Sequence, residues 1–445
     1  MIQRQLPLVQ AAFERAAERF GFSQELIDQG RCALGDVETV WARWDAHGIE
    51  AGAKVFQAFQ RAALTEAHLA GTTGYGYHDA GRDAYERLLA DVLQAESAFA
   101  RLQLVSGTHA IVASITALLG ASGRLCSITG PPYDTLRKAL VEPLGAAAGG
   151  GSPRYREARW AASKPDAGAD SQAASDVGLD EASVSACLRD QPEVIFIQRS
   201  RGYSPRPSMR VRDIAALIAT CKQLSPQSLI VVDNCYGELV ELEEPTAAGA
   251  DVIVGSLIKN LGGGIAPGGA YIAGRGALVA AIADHVFAPG LGLKVGPTFE
   301  ASRALFAGLH RAPRAVCESL KSLEFAAALF ERLGYAVDPQ VGGTRTDIIQ
   351  AVRLGDARAV TAFAEGLQRF LAVNSHARPE PGPVPGYDDP VLMAGGSFVG
   401  GSTMELSCDA PMRPPFDMYL QGGTDCVQGI LATMNAAAHV MRARA

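Results

Sequence analysis

A lysine and an aspartate follow two successive apolar segments of the chain. Asp233 ends the segment LIVVD, and Lys259 lies just beyond residues 252–254, in GSLIKNLGGG. A lysine amine can form a Schiff base with an aldehyde, and a carboxylate can keep a pyridine nitrogen protonated. Their types and spacing predict a site for pyridoxal phosphate (PLP), with Lys259 as the covalent attachment and Asp233 at the ring nitrogen. We also expect burial to lower the pKa of Lys259.

A second set of residues is suited to a phosphate group. Ser106, Gly107 and Thr108 open the helical pattern AIVASITALL, where N–H groups and hydroxyls at a helix N-terminus form an anion site. Ser256 lies close before Lys259, and its hydroxyl is expected to reach the same phosphate. Helix N-capping explains the Ser-Gly-Thr sequence equally well. The phosphate prediction therefore depends on the Lys259 pair.

Aromatic residues supply further candidates. Tyr133, in TGPPYDTLRKAL, is a candidate for stacking on the cofactor ring, although a core tyrosine is an equally good interpretation. Tyr75 and Tyr77 lie in TTGYGYHDAGRDAYERL, a glycine-rich loop with an unusual density of polar and aromatic side chains. This loop is expected to reach a phosphate or a substrate, also in a neighbouring subunit.

Two arginines are candidates for a substrate carboxylate. Arg201 lies in QRSRGYSPRPS and Arg413 in CDAPMRPPF, and a guanidinium pairs with a carboxylate through two hydrogen bonds. A surface salt bridge is the alternative for each. His285, His310 and His376 lack the spacing of metal ligands, so no metal site is predicted.

Short apolar segments alternate with helical patterns between residues 61 and 310. This alternation predicts an α/β domain with a mostly parallel sheet covered by helices. Residues 1–60 read as a helical arm, and residues 311–445 as a smaller C-terminal α+β domain that opens with a long helix near Arg311–Pro313. Ala146–Ser175 reads as a surface loop or insertion anchored by Trp160. The candidate strands are RLQLVS, RLCSI, EVIFIQ, LIVVD, DVIVG and AYIAG.

Composition restricts the class of protein. The chain has 445 residues, a net charge of −7, 48% hydrophobic and 20% charged residues, which is ordinary for an enzyme and gives no case for nucleic-acid binding. It has no apolar run long enough for a membrane span and no signal-peptide pattern. Its eight cysteines include no CxxC pair, as expected of a cytoplasmic protein with free thiols.

Four sequence blocks resemble one known family. They are GYGYHDAGRDAYERLLADVLQAESAFARLQLVSGTHAI, IQRSRGYSPRPS, VVDNCYGELVELEEPTAAGADVIVGSLIKNLGGGIAPGGAYIAGR and APMRPPFDMYLQGG. The family comprises the aluminium-resistance or methionine gamma-lyase-like proteins, which are fold-type-I PLP enzymes related to the cystathionine and methionine lyases. The resemblance implies an aspartate aminotransferase-like fold, with a seven-stranded, mostly parallel sheet in the large domain.

The resemblance also assigns roles to the candidate residues. Lys259 becomes the Schiff-base lysine, Asp233 the pyridinium partner and Tyr133 the ring-stacking tyrosine. Tyr75 and Tyr77 fall where related lyases place residues of the partner subunit, which implies a homodimer or homotetramer with shared active sites. The implied phosphate ligands are Gly107, Thr108 and Ser256.

The chain departs from the family pattern near the expected substrate. Leu261 stands where a proline is expected, and Lys294, in PGLGLKVG, stands where an acidic residue is expected. The 146–175 insertion looks longer than usual. These departures point to a specialised, biosynthetic substrate.

The leading functional hypothesis is PLP-dependent γ-elimination or γ-replacement on a methionine-type amino acid, S-adenosylmethionine included. It implies an external aldimine, a quinonoid and a vinylglycine-type intermediate, with Lys259 as base and Tyr133 as acid for the leaving group. One alternative is β-elimination, aldol or decarboxylative chemistry with the same cofactor. The other is a PLP-binding resistance protein that acts through interaction without turnover.

Overall fold

The computed structural model describes residues 6–144, 154–160 and 178–444, so most of the predicted 146–175 insertion lies outside the described residues. The chain divides into two compact units. The large unit comprises residues 54–262 and 266–310, and the small unit comprises residues 1–53, 263–265 and 311–445. Within the described residues, no helix combines the length and apolar character that a membrane span requires.

Helices alternate with most strands of the large unit along the chain, and helices are also the first and last described elements. Those described are α1 (Leu6–Arg19), α2 (Gln24–Ala62), α3 (Ala80–Val92), α4 (Gly107–Leu119), α5 (Asp134–Leu144), α6 (Glu181–Leu188), α7 (Val211–Leu224), α8 (Gly276–Phe287), α9 (Ser302–Arg332), α10 (Ala357–Gln368) and α11 (Cys426–Arg444). The described strands of the large unit are β1 (Ser97–Arg101), β2 (Leu125–Ser127), β3 (Tyr155–Glu157), β4 (Val194–Gln198), β5 (Leu229–Asp233), β6 (Val252–Ser256) and β7 (Ala270–Gly274).

The sheet of the large unit has seven described strands in the order β1-β7-β6-β5-β4-β2-β3. Strands β2 to β6 pair in parallel, whereas β7 runs antiparallel to both of its neighbours. Parallel strands end at the same edge of a sheet, so the residues after β4, β5 and β6 meet there. The predicted α/β fold with a mostly parallel seven-stranded sheet is confirmed.

The two faces of this sheet are lined by alternate residues of each strand. Phe196, Val231 and Val254 pack on the face covered by α4 and α8, in one core with Ile111 and Ile282. The intervening residues of the same strands point to the opposite face. Asp233 and Ser256 continue the α4 face, because each lies two residues beyond a core residue of its own strand.

The first strand lies earlier than its sequence pattern predicts. The segment RLQLVS begins at Arg101, whereas β1 ends there, because residues 97–101 pair in register with residues 270–274 of β7. Pairing with a distant strand, which local alternation does not report, determines the position of β1.

The small unit contains a five-stranded antiparallel sheet in the order β10-β11-β12-β9-β8. Helix α9 begins at Ser302, before the predicted start near Arg311, and continues through Pro313. Its upstream turns bury Leu305 and Leu309, so packing extends the helix beyond the proline signal. The described strands are β8 (Ala336–Asp338), β9 (Ile349–Arg353), β10 (Val391–Gly395), β11 (Ser407–Pro411) and β12 (Asp417–Gln421).

The N-terminal helices belong to the small unit, whereas the sequence pattern suggests a separate arm over residues 1–60. Trp41 Nε1 donates to the carbonyl of Lys321 at 2.9 Å, and Trp44 Nε1 donates to Glu324 at 3.2 Å. These contacts tie α2 to α9 within the small unit. The boundary between the units then falls inside α2, after Ala53.

Candidate active site

The N-terminus of α4 lies beside the end of β6. Ser106 caps this helix, because its Oγ accepts the N–H of His109 at 3.1 Å. A Cβ atom on Gly107 would lie 3.5 Å from Cβ of Ser256 and 3.3 Å from Sγ of Cys235. The first turn of α4 therefore lies in contact with Ser256 and Cys235, and the N-terminus of a helix is a favourable place for an anion.

Tyr133 is held at the same edge by two hydrogen bonds. Its hydroxyl lies 2.7 Å from Oγ1 of Thr108, and its N–H donates to Oε1 of Gln198, the last residue of β4, at 3.0 Å. Burial, together with the nearby charge of Asp233, raises the pKa of the Tyr133 phenol well above its usual range. The hydroxyl consequently stays protonated at physiological pH.

Asp233 is a buried carboxyl group at the end of β5, with 5% of its surface exposed. Its Oδ1 accepts the N–H of Cys235 at 3.1 Å. Burial raises the pKa of Asp233, and the charge of Lys259 offsets part of that effect. A carboxylate in this setting requires a cationic partner, which a protonated pyridine ring would supply.

Lys259 follows β6 and is half-buried. Its Nζ lies 3.8 Å from the ring centroid of Tyr236. Burial lowers the pKa of Lys259, but the opposing effect of Cys235, Tyr236 and Asp233 is greater, so the pKa lies above its usual range. The expectation of a lowered pKa is wrong, because the partners gathered around the amine outweigh its desolvation.

Sequence reasoning missed three residues that shape this site. The ring of Tyr236 lies against the amine of Lys259, and Gln198 positions Tyr133. The charge of the buried Arg206 offsets a small part of the upward shift in the pKa of Asp233. The guanidinium of Arg206 also lies 5.4 Å from the ring of Trp160. Tyr236 and Gln198 could have been found from the sequence, because each lies at or just after the carboxyl end of a strand.

The structure does not bring every predicted residue into this group. Tyr75 and Tyr77 lie at the surface, 74% and 49% exposed, with their ring centroids 5.7 Å apart. Their loop is tied to the 296–299 segment, since the carbonyl of Tyr75 accepts the N–H of Gly296 at 3.0 Å and Arg82 donates to the carbonyls of Gly76 and Gly296. The two tyrosines are therefore displayed outward on a well-anchored loop.

The two arginine candidates have different surroundings. Arg201 is buried in the large unit, after β4, and its N–H donates to Oγ of Ser208 at 3.0 Å. Arg413 belongs to the small unit, where its Nη1 donates to Asp389 at 3.0 Å. That ion pair is the surface salt bridge considered above as the alternative for Arg413.

Two of the three departures from the family pattern, Leu261 and Lys294, lie in different surroundings. Leu261 is fully buried in a short 3-10 turn after Lys259. Lys294 is exposed and lines a cavity of about 890 Å³ together with Tyr77 and residues of α3. Lys294 thus shares a surface with the outward-facing aromatic loop.

The described residues fit PLP. The α4 N-terminus with Ser256 would hold the phosphate, Asp233 would pair with the ring nitrogen, and Lys259 would attach the cofactor. Fold and site together define a PLP-dependent enzyme of fold type I.

Comparison with known proteins places the chain more narrowly. The profile of the methionine gamma-lyase family matches residues 26–441. A proposed cystathionine beta-lyase involved in aluminium resistance, from Clostridium acetobutylicum, is 36% identical with a TM-score of 0.85, over 95% of this chain and 97% of that one. A carbon-sulfur lyase involved in aluminium resistance, from Clostridium novyi NT, is 31% identical with a TM-score of 0.83, over 95% and 98%. The protein YnbB of Bacillus subtilis is 37% identical over 370 residues, which are 83% of this chain and 86% of that protein.

The chain therefore belongs to the methionine gamma-lyase family, a group of PLP-dependent carbon-sulfur lyases. This result confirms the family resemblance, the cofactor and the enzyme class that the sequence predicts. The roles of the individual site residues stay predictions.

Proposed function

We propose that the enzyme eliminates or replaces the group at Cγ of a methionine-type amino acid, with S-adenosylmethionine among the substrates. The observation that carries this proposal is that the amine of Lys259 and the phenol of Tyr133 lie at one edge of the sheet, close enough for their charges to interact. Lys259 and Tyr133 both lie close enough to Asp233 for their charges to influence one another. Such a pair can remove a proton from carbon and protonate a departing sulfur.

When bound, PLP supplies an electron sink that stabilises the negative charge left on the substrate at Cα. The chain supplies the proton transfers. Released from its covalent role, Lys259 Nζ would remove the proton at Cα and deliver it to the bound cofactor. The amine, neutral again, would then accept the second proton, from Cβ. The Cγ–S bond breaks as electrons move from Cβ, and Tyr133 gives its proton to a thiolate leaving group. A sulfonium leaves as a neutral thioether and needs no such proton.

The position of Tyr133 supports the role of acid, because the 2.7 Å contact with Oγ1 of Thr108 orients its hydroxyl. Arg201, buried in the same unit, is our candidate for the substrate carboxylate. A specialised, biosynthetic substrate is part of this proposal, and it rests on the departures from the family pattern at Leu261 and Lys294.

β-Elimination is the second candidate function. It is favoured by the description of the Clostridium acetobutylicum relative as a cystathionine beta-lyase. In that reaction Lys259 removes only the Cα proton, and the sulfur leaves directly from Cβ. Aldol or decarboxylative chemistry lacks such support, and turnover itself would dismiss a purely non-catalytic role.

One substrate separates γ- from β-chemistry. Incubated with L-cystathionine, a γ-lyase releases 2-oxobutyrate and cysteine, whereas a β-lyase releases pyruvate and homocysteine. In D2O, γ-chemistry also introduces deuterium at Cβ of recovered substrate, which NMR detects even where replacement exceeds elimination. We expect 2-oxobutyrate or Cβ exchange with cystathionine, methionine or S-adenosylmethionine. Release of pyruvate without deuterium exchange at Cβ would contradict the γ-chemistry and identify the reaction as β-elimination.

The attachment of PLP tests the role of Lys259. We expect borohydride reduction to fix the cofactor on the peptide that contains Lys259, and Lys259→Ala to abolish both the labelling and the turnover. Lys138→Ala, which alters an exposed lysine of α5, is the matched control and should behave like the unmodified protein. Labelling that persists in Lys259→Ala would assign the attachment to another lysine.

We also propose a homodimer or homotetramer with shared active sites. It is supported by the exposed aromatic pair Tyr75 and Tyr77, which is held outward by a loop anchored to residues 296–299. In such an assembly the pair would reach the phosphate or active site of the neighbouring subunit.

A further inference from the structure

The turn after β5, residues 234–240, has an unfavourable backbone conformation at two positions. Tyr236 has φ of 71° and Leu239 has φ of 63°, although neither is glycine. Side chains with a Cβ atom rarely adopt this left-handed region, and such residues persist only where surrounding contacts hold them. This turn contains the tyrosine that lies against Lys259.

Asn260, the residue after Lys259, clamps the turn. Its Nδ2 donates to the carbonyls of Tyr236 and Glu238, each at 2.9 Å. Glu244 holds the far end, since its Oε1 accepts the N–H of Leu239 at 3.0 Å. The backbone of the turn is therefore tied directly to the segment that carries the lysine.

A buried polar network behind the sheet supports the same turn. Tyr271 of β7 donates to Oε1 of Glu238 at 2.9 Å, and Asn234 Nδ2 donates to Glu244 at 2.9 Å. Arg199 Nη1 completes the network by donating to Oδ1 of Asn234 at 2.7 Å. These side chains are completely or almost completely excluded from solvent.

Two glycines leave the space that this network occupies. A Cβ on Gly237 would lie 2.5 Å from the guanidinium of Arg199, and a Cβ on Gly255 would lie 2.5 Å from Glu238. Real Cβ atoms essentially never lie so close to another atom, so a larger residue at either position would force the network to shift. The turn is thus held in place by hydrogen bonds and by packing on its buried side.

The result is an aromatic face beneath the lysine. Lys259 Nζ lies 3.8 Å from the ring centroid of Tyr236, within the range of a cation–π interaction. We propose that Tyr236 is a positioning residue whose ring face binds the positively charged Nζ of Lys259, and that Asn260 holds the ring in register with the lysine. This inference rests on the proposed function, in which Lys259 carries PLP and moves protons.

Other groups also act on Nζ. Those that face it are Asp233 and Cys235 from β5 and the turn after it, Glu238 from the same turn, and Tyr133 from the segment before α5. All of them are kept in both Tyr236→Leu and Tyr236→Phe. A difference between these two variants therefore reports the ring.

The test compares Tyr236→Leu with Tyr236→Phe in the PLP-loaded protein. The visible absorption band of the lysine-bound cofactor changes with protonation of Nζ, so a pH titration reads the charge on that atom. Loss of the ring should lower the midpoint by about one pH unit in Tyr236→Leu. Tyr236→Phe keeps the aromatic face and should retain a midpoint close to that of the unmodified protein.

Several outcomes would overturn the inference. An unchanged midpoint in Tyr236→Leu would show that the cation–π contact does not affect the charge on Nζ. A shift of the midpoint in Tyr236→Phe equal to that in Tyr236→Leu would assign the effect to the hydroxyl. Tyr236→Met, judged by the same midpoint, replaces the leucine variant if that variant does not fold. If the unmodified protein forms no such band, the proposed function fails together with this inference. If the band forms but its midpoint does not depend on the ring of Tyr236, this inference alone fails.

Discussion

Two buried carboxyl groups near Lys259 have different partners. Asp233 faces the lysine and accepts the N–H of Cys235. Glu238 accepts the hydroxyl of Tyr271 at its Oε1, and its Oε2 has no hydrogen-bond partner among the described residues. Burial, with a smaller effect of the Glu244 charge, raises the pKa of Glu238 to about 8. We therefore expect Glu238 to be a neutral acid at pH 7, while Asp233 has Lys259 as its counter-charge.

The proton on Glu238 should make stability dependent on pH. Between about pH 5 and pH 8 the folded chain keeps this proton and the unfolded chain has lost it, so the free energy of unfolding falls as pH rises. One such group contributes a slope of about 1.4 kcal/mol per pH unit. Glu238→Gln removes the ionisation, and its stability relative to the unmodified protein should increase from pH 5 to pH 8.

Urea unfolding at several pH values measures this difference. Glu243→Gln changes an exposed neighbour and should give a curve parallel to that of the unmodified protein. A parallel curve for Glu238→Gln as well would show that Glu238 is ionised in the folded chain.

At the scale of elements, the site arises where strand alternation meets a helix N-terminus. β5 and β6 place Asp233 and Ser256 on the face covered by α4, while Gly255, one residue earlier, faces the opposite side with Tyr271. The period of two in a strand thus separates the cofactor site from the buried polar network. Apolar runs predicted β4 to β7 well, whereas the position of β1 and the start of α9 required tertiary contacts.

The opposite face leaves no room at Gly255. In Gly255→Ala the new Cβ would lie 2.5 Å from both Glu238 and the ring of Tyr271, and we expect a loss of about 1–3 kcal/mol in the free energy of unfolding. Gly276→Ala, at the first position of α8, is the control, because its nearest neighbouring atom is 3.7 Å away. Equal denaturation midpoints for the two variants would contradict this packing argument.

At the scale of the whole molecule, the proposed assembly explains why Tyr75 and Tyr77 are exposed. Both rings are large and partly apolar, yet their loop is held firmly by Arg82 and by backbone hydrogen bonds to residues 296–299. Exposed apolar surface on a rigid support is typical of an interaction site. Lys294 and Tyr77 line the same cavity, so the departure at Lys294 also lies next to this surface.

The double variant Tyr75→Ser/Tyr77→Ser tests the assembly. We expect it to shift the molar mass from light scattering towards that of a monomer and to lower kcat/KM on the order of ten-fold or more, because it would remove groups from a neighbouring site. Phe398→Ser alters an equally exposed aromatic residue of the small unit and should change neither quantity. An unchanged mass and activity in the double variant would separate these tyrosines from assembly and from the site.

The sequence by itself determined the fold class and the cofactor, and it predicted Lys259 and Asp233 as the residues that hold that cofactor, because strand ends and glycine-rich turns are local patterns. Only the tertiary structure decided what surrounds the amine. The upward shift in the pKa of Lys259 and its contact with Tyr236 depend on residues from separate segments. The clamp by Asn260 and the space left by Gly255 likewise arise from packing between strands. Local sequence does not report such packing, since it is fixed by the register and faces of the assembled sheet.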